Sequence, residues 1–470
     1  MASMSYYEGE TKKRPGVYKR QSNASGINVV GAVNGIGAIA IDADWGPLNE
    51  VRSFSGTNAE SKIRETYGET KGVPSALAFL SAGLSTFYIC RVGEGGTCGS
   101  VTLDEAVTIT LLYPGTRAFT VTVRDSIANT GYKEMLLLEG SVVKQSITFQ
   151  ATAKDLADAV TASKSVYISS AVLEGKDSTA MTNTSQTAIT PGTAPTVNTA
   201  SYSKAFNALE PYPYNVITLD THDNDVQALL ANYAARADES GKRLIAALGG
   251  YTDLAFDTRC NAAKSYNSEN IVYLGSGYID SAGEAVGKTE NDTRANAIMA
   301  GYIASVPANS SVVHQTIQGA ADLIEKLTNA DYEKAIDSGM ILLSMGSDGQ
   351  VWFDSGVNTL VTPDDTQDEG WKKIKRVKIR YELFDRIDRT LDPLVGRVNA
   401  TTDGFGAVIQ AAQKVIDTMV AEGKLIEGTF TLVDSSPDSG WFEIAVTDTD
   451  TLEKIYLHYK FRYSQSSETE

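Results

Sequence analysis

The chain has 470 residues, of which 42% are hydrophobic and 8% aromatic, and it carries a formal net charge of −17 with a pI near 4.8. This length predicts two to four domains, and the hydrophobic content excludes wholesale disorder. The acidity argues against a nucleic-acid binder, because the phosphates would repel the protein.

No run of eighteen apolar residues and no signal-peptide pattern occurs, so the sequence predicts a soluble protein that is not exported by that route. The three cysteines, Cys90, Cys98 and Cys260, are odd in number and lack zinc-ligand spacing. We expect them to be reduced thiols of a protein made in the cytosol.

The first part of the chain predicts an arm followed by the beginning of a core. Residues 1–26 are polar and show no helical periodicity, which predicts an extended N-terminal arm. Residues 27–96 predict the N-terminal part of the core, with β-like apolar residues over 29–41, short helices over 58–67 and 74–80, and a strand over 87–92.

Residues 97–182 predict a small antiparallel β-sandwich that is inserted into the core, because short strands with period-two alternation are separated by turn signals. The stretch from Lys176 to Thr199, rich in Thr, Ser, Ala and Pro, predicts a linker that returns the chain to the main body.

Residues 183–355 predict an α/β domain. Short apolar runs at 216–219, 243–248, 271–274 and 340–343 alternate with polar or helical segments, which is typical of a parallel sheet buried on both faces.

Residues 356–470 predict an α+β end domain. Its clearest helix runs from Gly404 to Glu422, with Asp403 as the expected cap and Gly423 as the stop. Two hairpin-like strands over 428–433 and 441–446 follow, and an aromatic strand over 455–461 is predicted near the end of the chain.

Motifs that could carry chemistry are weak. The segment Gly35-Ile36-Gly37-Ala38-Ile39-Ala40 fits a dinucleotide fingerprint, but the predicted strand context supplies no helix N-terminus for a pyrophosphate. Asp220-Thr221-His222-Asp223-Asn224-Asp225 could ligate a divalent metal, although capping of the next helix is the favoured interpretation. Gly93 to Gly99 predicts a flexible connector rather than a phosphate cradle.

A hydrolase triad would need one of three histidines, His222, His314 or His458, and the known nucleophile motifs are absent from the sequence. The basic stretch from Lys372 to Arg380 allows two readings that remain open, a solvated helix face or a surface for an acidic neighbour. The motifs alone thus identify no catalytic centre, metal or cofactor.

The order of several short motifs resembles the tail sheath proteins of contractile phage tails and of R-type phage-tail-like bacteriocins. Pro15-Gly16-Val17-Tyr18 is followed by Asp44-Trp45-Gly46-Pro47, then by Tyr113-Pro114-Gly115-Thr116-Arg117 near the start of the insertion, and by Gly396-Arg397-Val398-Asn399 before the late helix. Many relatives carry a Gly-Gly motif where this chain has Pro191-Gly192-Thr193-Ala194, which leaves the boundary after the sandwich open.

The resemblance implies a fold of α/β and α+β domains: a subtilisin-like α/β core without proteolytic function, an inserted β-sandwich and a C-terminal sheath domain with extended arms at both ends. It also implies that the two arms each add a strand to the C-terminal sheet of neighbouring copies. The implied arm residues are Val17, Tyr18, Ile27 and Val29 at the N-terminus and Ile455, Tyr456, Leu457, Tyr459 and Phe461 at the C-terminus. The implied acceptor-sheet residues are Phe430, Leu432, Phe442 and Ile444.

The implied function is a structural subunit that polymerises into a helical sheath around an inner tail tube, contracts by a rigid-body transition and drives the tube through the bacterial envelope. The implied partners are other copies, the tube, baseplate and terminator proteins, with neither nucleic acid nor membrane insertion. The particle would be assembled in the host cytoplasm. Candidate basic contacts to the tube or to neighbours are Lys414, Lys424, Lys372, Lys375 and Arg376.

Two other functions remain open at this point. An α/β hydrolase of subtilisin type with an accessory sandwich would explain the 212–355 region, and a monomeric adhesin would explain the sandwich.

Overall fold

The computed structural model describes residues 4–5, 18–19 and 35–462. Met4–Ser5 (β1) pairs in parallel with Tyr18–Lys19 (β2). The implied arm residues Val17, Ile27 and Val29 lie outside the described residues. The chain forms two compact units, a larger one over Val33–Glu382 and Asp448–Glu470 and a smaller one that includes Leu383–Thr447.

Residues 35–96 supply three adjacent strands at one edge of the main sheet and two short helices. The fingerprint residues Ile36 to Ala40 lie within the first of these strands, so no helix starts there to bind a pyrophosphate. Pro74 lies in the first turn of a helix, where its missing N–H costs nothing. The elements are β3 (Ile36–Ile41), β4 (Val51–Ser55), α1 (Ala59–Tyr67), α2 (Val73–Ser81) and β5 (Thr86–Arg91).

The region from 100 to 188 forms the predicted β-sandwich. One sheet has the order β10-β9-β8-β12 and the other β11-β7-β6, with a shared apolar core between them. Two features differ from the sequence prediction: a helix packs within the domain, and a strand lies inside the expected linker. The elements are β6 (Ser100–Leu103), β7 (Val107–Leu111), β8 (Thr120–Asp125), β9 (Lys133–Glu139), β10 (Val142–Phe149), α3 (Ala153–Ser163), β11 (Ile168–Val172) and β12 (Thr184–Ala188).

The strand in the expected linker moves the end of the sandwich from 182 to at least 188. Thr184 and Thr187 pair with β8, so this stretch completes a sheet of the sandwich. The period-two signal is weak there because Thr184–Ala188 has no large apolar residue and is at most half-buried.

From residue 199 strands and helices alternate, as predicted. The single apolar run predicted at 340–343 divides between two sheets. The elements are α4 (Thr199–Leu209), β13 (Val216–Leu219), α5 (Asn224–Glu239), β14 (Ile245–Gly249), α6 (Phe256–Tyr266), β15 (Ile271–Leu274), β16 (Tyr278–Asp280), β17 (Ala285–Val286), α7 (Arg294–Ser305), β18 (Ala320–Leu323), α8 (Asn329–Asp337), β19 (Met340–Ile341), β20 (Leu343–Met345) and β21 (Val351–Phe353).

The main sheet has the order β19-β15-β14-β13-β3-β5-β4, and all its neighbours are parallel except β4 and β5. One face packs on α4, α5, α6 and α8 through a continuous apolar cluster. The other face receives α2 and α7, where Phe79 lies against Gly37 of β3. This three-layer arrangement is a doubly wound α/β domain that begins before the sandwich and ends after it.

Two antiparallel strands of connecting chain join the sandwich to the α/β domain. Backbone bridges link Glu94 to Thr196, Thr97 to Thr193 and Ser100 to Thr190. A side chain at Gly192 would collide with the backbone carbonyl of Thr97 on the opposite strand, which explains why glycine occupies this position. The Gly93–Gly99 segment is therefore one half of a paired stem, and the prediction of a flexible connector is wrong.

Two motifs from opposite sides of this stem meet at the base of the sandwich. Trp45 is 1% exposed and packs edge-on against Tyr113, with ring centroids 5.3 Å apart, and the guanidinium of Arg117 lies over its ring. The buried Arg91 donates to the carbonyls of Ala43, Gly46 and Pro114. These contacts fix the sandwich to the α/β domain.

The C-terminal elements are two long helices and a hairpin. The second helix begins two residues earlier than predicted, with Thr401 and not Asp403 as its cap, and it is followed by Gly423 at φ +70°. The hairpin strands are longer than predicted and only Pro437 and Asp438 separate them. The elements are a 3₁₀ turn (Glu369–Lys372), α9 (Ile374–Leu391), a 3₁₀ turn (Asp392–Leu394), α10 (Thr402–Ala421), β22 (Leu425–Ser436) and β23 (Ser439–Asp448).

Candidate assembly surfaces

Within residues 35–462, His222 and His314 do not lie in the arrangement of a hydrolase triad. His222 is buried, its Nδ1 lies 2.8 Å from the carbonyl of Glu290, and its Nε2 lies 2.8 Å from the Asn296 amide. Burial lowers the pKa of His222 to about 4, so its ring is neutral. His314 is exposed and stacks on Trp352 with ring centroids 4.4 Å apart. Neither ring has a serine hydroxyl among its hydrogen-bond partners, so the described geometry does not support the hydrolase alternative.

The acidic segment after β13 caps a helix. The Asp223 carboxylate accepts hydrogen bonds from the amides of Asp225 and Val226 at the start of α5, as the favoured interpretation predicted. In the part of the chain that the structure describes, no group of three His, Cys, Asp or Glu side chains has the arrangement of a metal site. Over the same residues, no helix combines the length and apolarity needed to cross a bilayer.

Asp220 in this segment has a structural role in the α/β domain. Its carboxylate joins the ends of β3 and β13, because Oδ2 accepts from the Asp42 amide at 2.6 Å and Oδ1 accepts from the Tyr202 hydroxyl at 2.6 Å. Burial raises the pKa of Asp220 to about 7, against the lowering effect of these hydrogen bonds. The neighbouring cation Lys71 pairs with Asp42 and Asp44 instead.

The segment after β23 exposes an apolar stripe. Residues 449–462 form no regular secondary structure in the single chain, so the aromatic strand predicted at 455–461 has no strand partner among the described residues. Ile455, Leu457, Tyr459 and Phe461 are 69–91% exposed, and they alternate with Tyr456, His458 and Lys460. Two successive members of the stripe, Tyr459 and Phe461, stack with ring centroids 6.3 Å apart. We call residues 455–461 the C-terminal arm.

Among the residues that the structure describes, the hairpin β22–β23 is a sheet of two strands, so each strand has one edge without a described neighbour. Its inward face holds the four implied acceptor residues. Phe430 is buried and stacks on Phe442 with ring centroids 5.1 Å apart, while Leu432 and Ile444 are half-buried. On the same face Gln413 of α10 hydrogen-bonds to the Gly428 carbonyl and the Phe430 amide. This contact fixes the hairpin on α10.

The outward face of the hairpin exposes large apolar side chains. Val433 and Trp441 are 64% and 54% exposed, and Ile426 near the start of β22 is 62% exposed. A strand pair with apolar residues on both faces is typical of a sheet that becomes covered on assembly.

Basic side chains before and within α9 form ion pairs with carboxylates of the same chain. Lys372 pairs with Glu369, and Arg376 pairs with Asp448. Lys375 is 5% exposed, and burial lowers its pKa against the opposing effect of nearby carboxylates. The two readings of this stretch, a solvated face and a docking surface, both overlooked these intramolecular partners.

The other two candidate basic residues lie in different surroundings. Lys424 is buried at the end of α10 and its ammonium lies 2.6 Å from a carboxylate oxygen of Glu422, so it presents little charge to a partner. Lys414 is exposed on α10. Of the two, only Lys414 has an exposed side chain.

Comparison with known proteins confirms the resemblance to tail sheath proteins. Residues 196–359 match the family model of the phage tail sheath protein central domain. The phage-like element PBSX protein XkdK of Bacillus subtilis is 22% identical over 484 residues, with 96% of this chain and 97% of that protein covered.

Solved sheath structures share the mixed α/β multidomain fold. The sheath tail protein from Desulfitobacterium hafniense has a TM-score of 0.72 at 18% identity and covers 92% of this chain and 100% of its own. The anti-feeding prophage helical sheath in its contracted state has a TM-score of 0.58 at 10% identity, with 96% and 99% covered.

Proposed function

We propose that this chain is a structural, non-enzymatic subunit of a contractile tail sheath in a phage or phage-tail-like particle. The match of residues 196–359 to the sheath central domain and the shared multidomain fold support this proposal. The main support comes from the exposed apolar stripe of the C-terminal arm, whose members alternate with Tyr456, His458 and Lys460. Such a segment gains its hydrogen bonds and apolar cover by adding to another sheet.

The acceptor would be the two-stranded hairpin β22–β23 of a neighbouring copy. As a strand, the arm would place Ile455, Leu457, Tyr459 and Phe461 on one face and Tyr456, His458 and Lys460 on the other. Burial of each apolar side chain contributes roughly 1.5–3 kcal/mol before the cost of ordering the arm. Because donor and acceptor are different surfaces of one chain, the contact is heterologous and propagates into a helix. The N-terminal arm, whose residues Val17, Tyr18, Ile27 and Val29 the resemblance implicates, would add in the same manner.

The finer mechanism belongs to the same proposal. The sheath would surround an inner tube, with Lys414 as a candidate contact, and meet baseplate and terminator proteins at its ends, after assembly in the host cytoplasm. Contraction would be a rigid-body rearrangement from a kinetically trapped extended state that drives the tube through the bacterial envelope. The fixed base of the sandwich, where Trp45 and Arg91 join it to the α/β domain, supports a rearrangement in which these two domains move together.

We also propose that the α/β domain has a subtilisin-like fold that has no proteolytic role. The parallel sheet with helices on both faces supports the fold, and the neutral, buried His222 without a serine partner supports the loss of activity. A serine-reactive fluorophosphonate probe should label no residue, while labelling that is blocked by His222→Ala would contradict this view.

Arm substitutions test the assembly proposal. Leu457→Ser with Tyr459→Ser should leave a folded monomer that forms no tubes in negative-stain electron microscopy. The matched control His458→Ser changes the opposite face of the same strand and should form tubes as the unchanged protein does. Equal tube formation by both variants, or ordered tubes from a chain ending at Lys454, would refute arm donation.

A further inference from the structure

A cluster of ion pairs in the larger unit lies where the C-terminal arm begins. Asp448 is the last residue of β23, and its side chain is 8% exposed. Arg376 donates to its Oδ1 at 2.5 Å and Arg380 donates to its Oδ2 at 3.1 Å, from successive turns of α9. One carboxylate therefore receives two guanidinium groups, and this largely buried arrangement is screened only weakly by salt.

A second set of pairs holds the chain immediately after β23. The ammonium of Lys373 lies 2.6 Å from Oδ2 of Asp450 and 3.0 Å from Oε2 of Glu453. The hydrogen bond from Lys373 keeps the pKa of Asp450 below its usual range, although burial acts to raise it. These pairs are about one-third exposed, so we expect them to weaken as salt rises.

The cations of both sets stand on a fixed platform. The backbone at Lys373 bridges to Val357, and the Ile374 amide donates to the Gly356 carbonyl. The guanidinium of Arg380 also lies 4.1 Å from the centre of the Trp371 ring. These contacts hold the backbone at the start of α9 and the guanidinium of Arg380 in place, whereas the side chains of the arm beyond Glu453 are exposed.

We propose that these six residues form an anchor that fixes the root of the C-terminal arm and thereby sets the direction in which the arm leaves the subunit. The arm anchor consists of Lys373, Arg376, Arg380, Asp448, Asp450 and Glu453. This inference rests on the proposed function, because a set direction matters only if the arm reaches another copy. It gives the basic stretch the role of a positioning element: by fixing one end of the arm, it reduces the conformational freedom that strand addition must remove.

The anchor is tested first in the monomer, independently of assembly. A nitroxide spin label is attached at Leu452→Cys, within the anchored segment, or at Tyr459→Cys, within the arm, after Cys98→Ser removes the exposed thiol. Asp450→Asn with Glu453→Gln should increase label mobility at 452 and leave it unchanged at 459. Lys454→Gln, which changes an exposed charge outside the anchor, should leave both spectra unchanged. Unchanged mobility at 452 in the Asp450→Asn/Glu453→Gln variant would overturn the anchor.

Assembly measurements and a charge exchange then test whether the arm anchor promotes tube formation. Asp450→Asn with Glu453→Gln should raise the protein concentration required for tubes by about tenfold, with an unfolding temperature like that of the unchanged protein. Lys373→Glu should impair assembly, and adding Asp450→Lys and Glu453→Lys to it should restore assembly. Failure of this exchange, with normal folding, would contradict an electrostatic anchor. Absence of tubes from the unchanged protein would instead contradict the proposed function, and the monomer spectra would still decide the anchor.

Discussion

The backbone amide of Asp42 donates to Oδ2 of Asp220 at 2.6 Å, and this bond joins the ends of two neighbouring parallel strands in the main sheet. The same carboxylate receives the Tyr202 hydroxyl from α4. Three segments of the α/β domain thus meet at one acid whose pKa burial raises to about 7.

Stability should therefore depend on the protonation of Asp220. Its folded pKa lies above the unfolded value of 3.8, so its contribution is complete below pH 4 and is lost as pH rises towards 7. The loss amounts to at most roughly 4 kcal/mol, and less where water reaches the carboxylate. In urea unfolding between pH 4 and 8, Asp220→Asn should remove this part of the pH dependence.

The hydrogen bond from Tyr202 lowers the pKa of Asp220, against the larger effect of burial, so Tyr202→Phe should move the same transition to higher pH. Retention of the full slope by Asp220→Asn would show that another group carries it.

Gly72 should not accept a side chain. A Cβ atom built there would overlap the Asp220 carboxylate, so Gly72→Ala must displace the acid or the backbone and should cost about 2–3 kcal/mol. Gly406 provides the comparison, because it lies inside α10 with open space around it. Gly406→Ala should raise the stability of its own unit by about 0.5–1 kcal/mol. Thermal unfolding of both variants measures the difference, and similar effects of the two changes would contradict the steric argument.

Trp45→Ala should loosen the sandwich from its base. The indole packs among Tyr113, Phe119 and Tyr167, so truncation should cost about 3–5 kcal/mol, and Trp45→Phe should cost less. Limited proteolysis with mass spectrometry should show faster cleavage near the paired stem in Trp45→Ala. Trp441→Ala removes an indole that is 54% exposed, and it should leave that cleavage rate unchanged.

The smaller unit contains a buried guanidinium whose acceptor is Glu422. Arg386 has a side chain 2% exposed and donates to both carboxylate oxygens of Glu422, at 3.2 and 2.7 Å. Glu422→Ala should destabilise this unit by about 1–3 kcal/mol, because a buried positive charge loses its carboxylate. Adding Arg386→Met should recover part of the loss in chemical unfolding, whereas simple additivity would argue against coupling between the two residues.

The sequence predicted features that depend on local periodicity. The apolar stripe of α10 has period 3.6, and the strands of the main sheet are short apolar runs, so both were identified close to their actual positions. Thr401 was missed as the cap of α10 because Asp403, two residues later, is also a good capping residue.

Features that depend on distant partners could not be predicted in this way. The local sequence of the basic stretch predicts a charged helix face, but Arg376 pairs with Asp448, which lies 72 residues further along the chain. The glycines of the paired stem predict a flexible segment when only neighbouring residues are considered. Glycine is needed there because a side chain would collide with the opposite strand at Thr190 and Thr193. The arm at 455–461 has the alternation of a strand, yet its single chain offers it no neighbouring strand within the described residues.

The order of strands in the main sheet has a consequence for synthesis of the protein. Asp42 and Asp220, at the ends of β3 and β13, are 178 residues apart, and the whole sandwich lies between them. On the ribosome the sandwich is complete while β3 still lacks this neighbour, so the inserted domain can fold first and bring the two halves of the α/β domain together through its stem. The insertion then shortens the effective loop that the nascent chain must close.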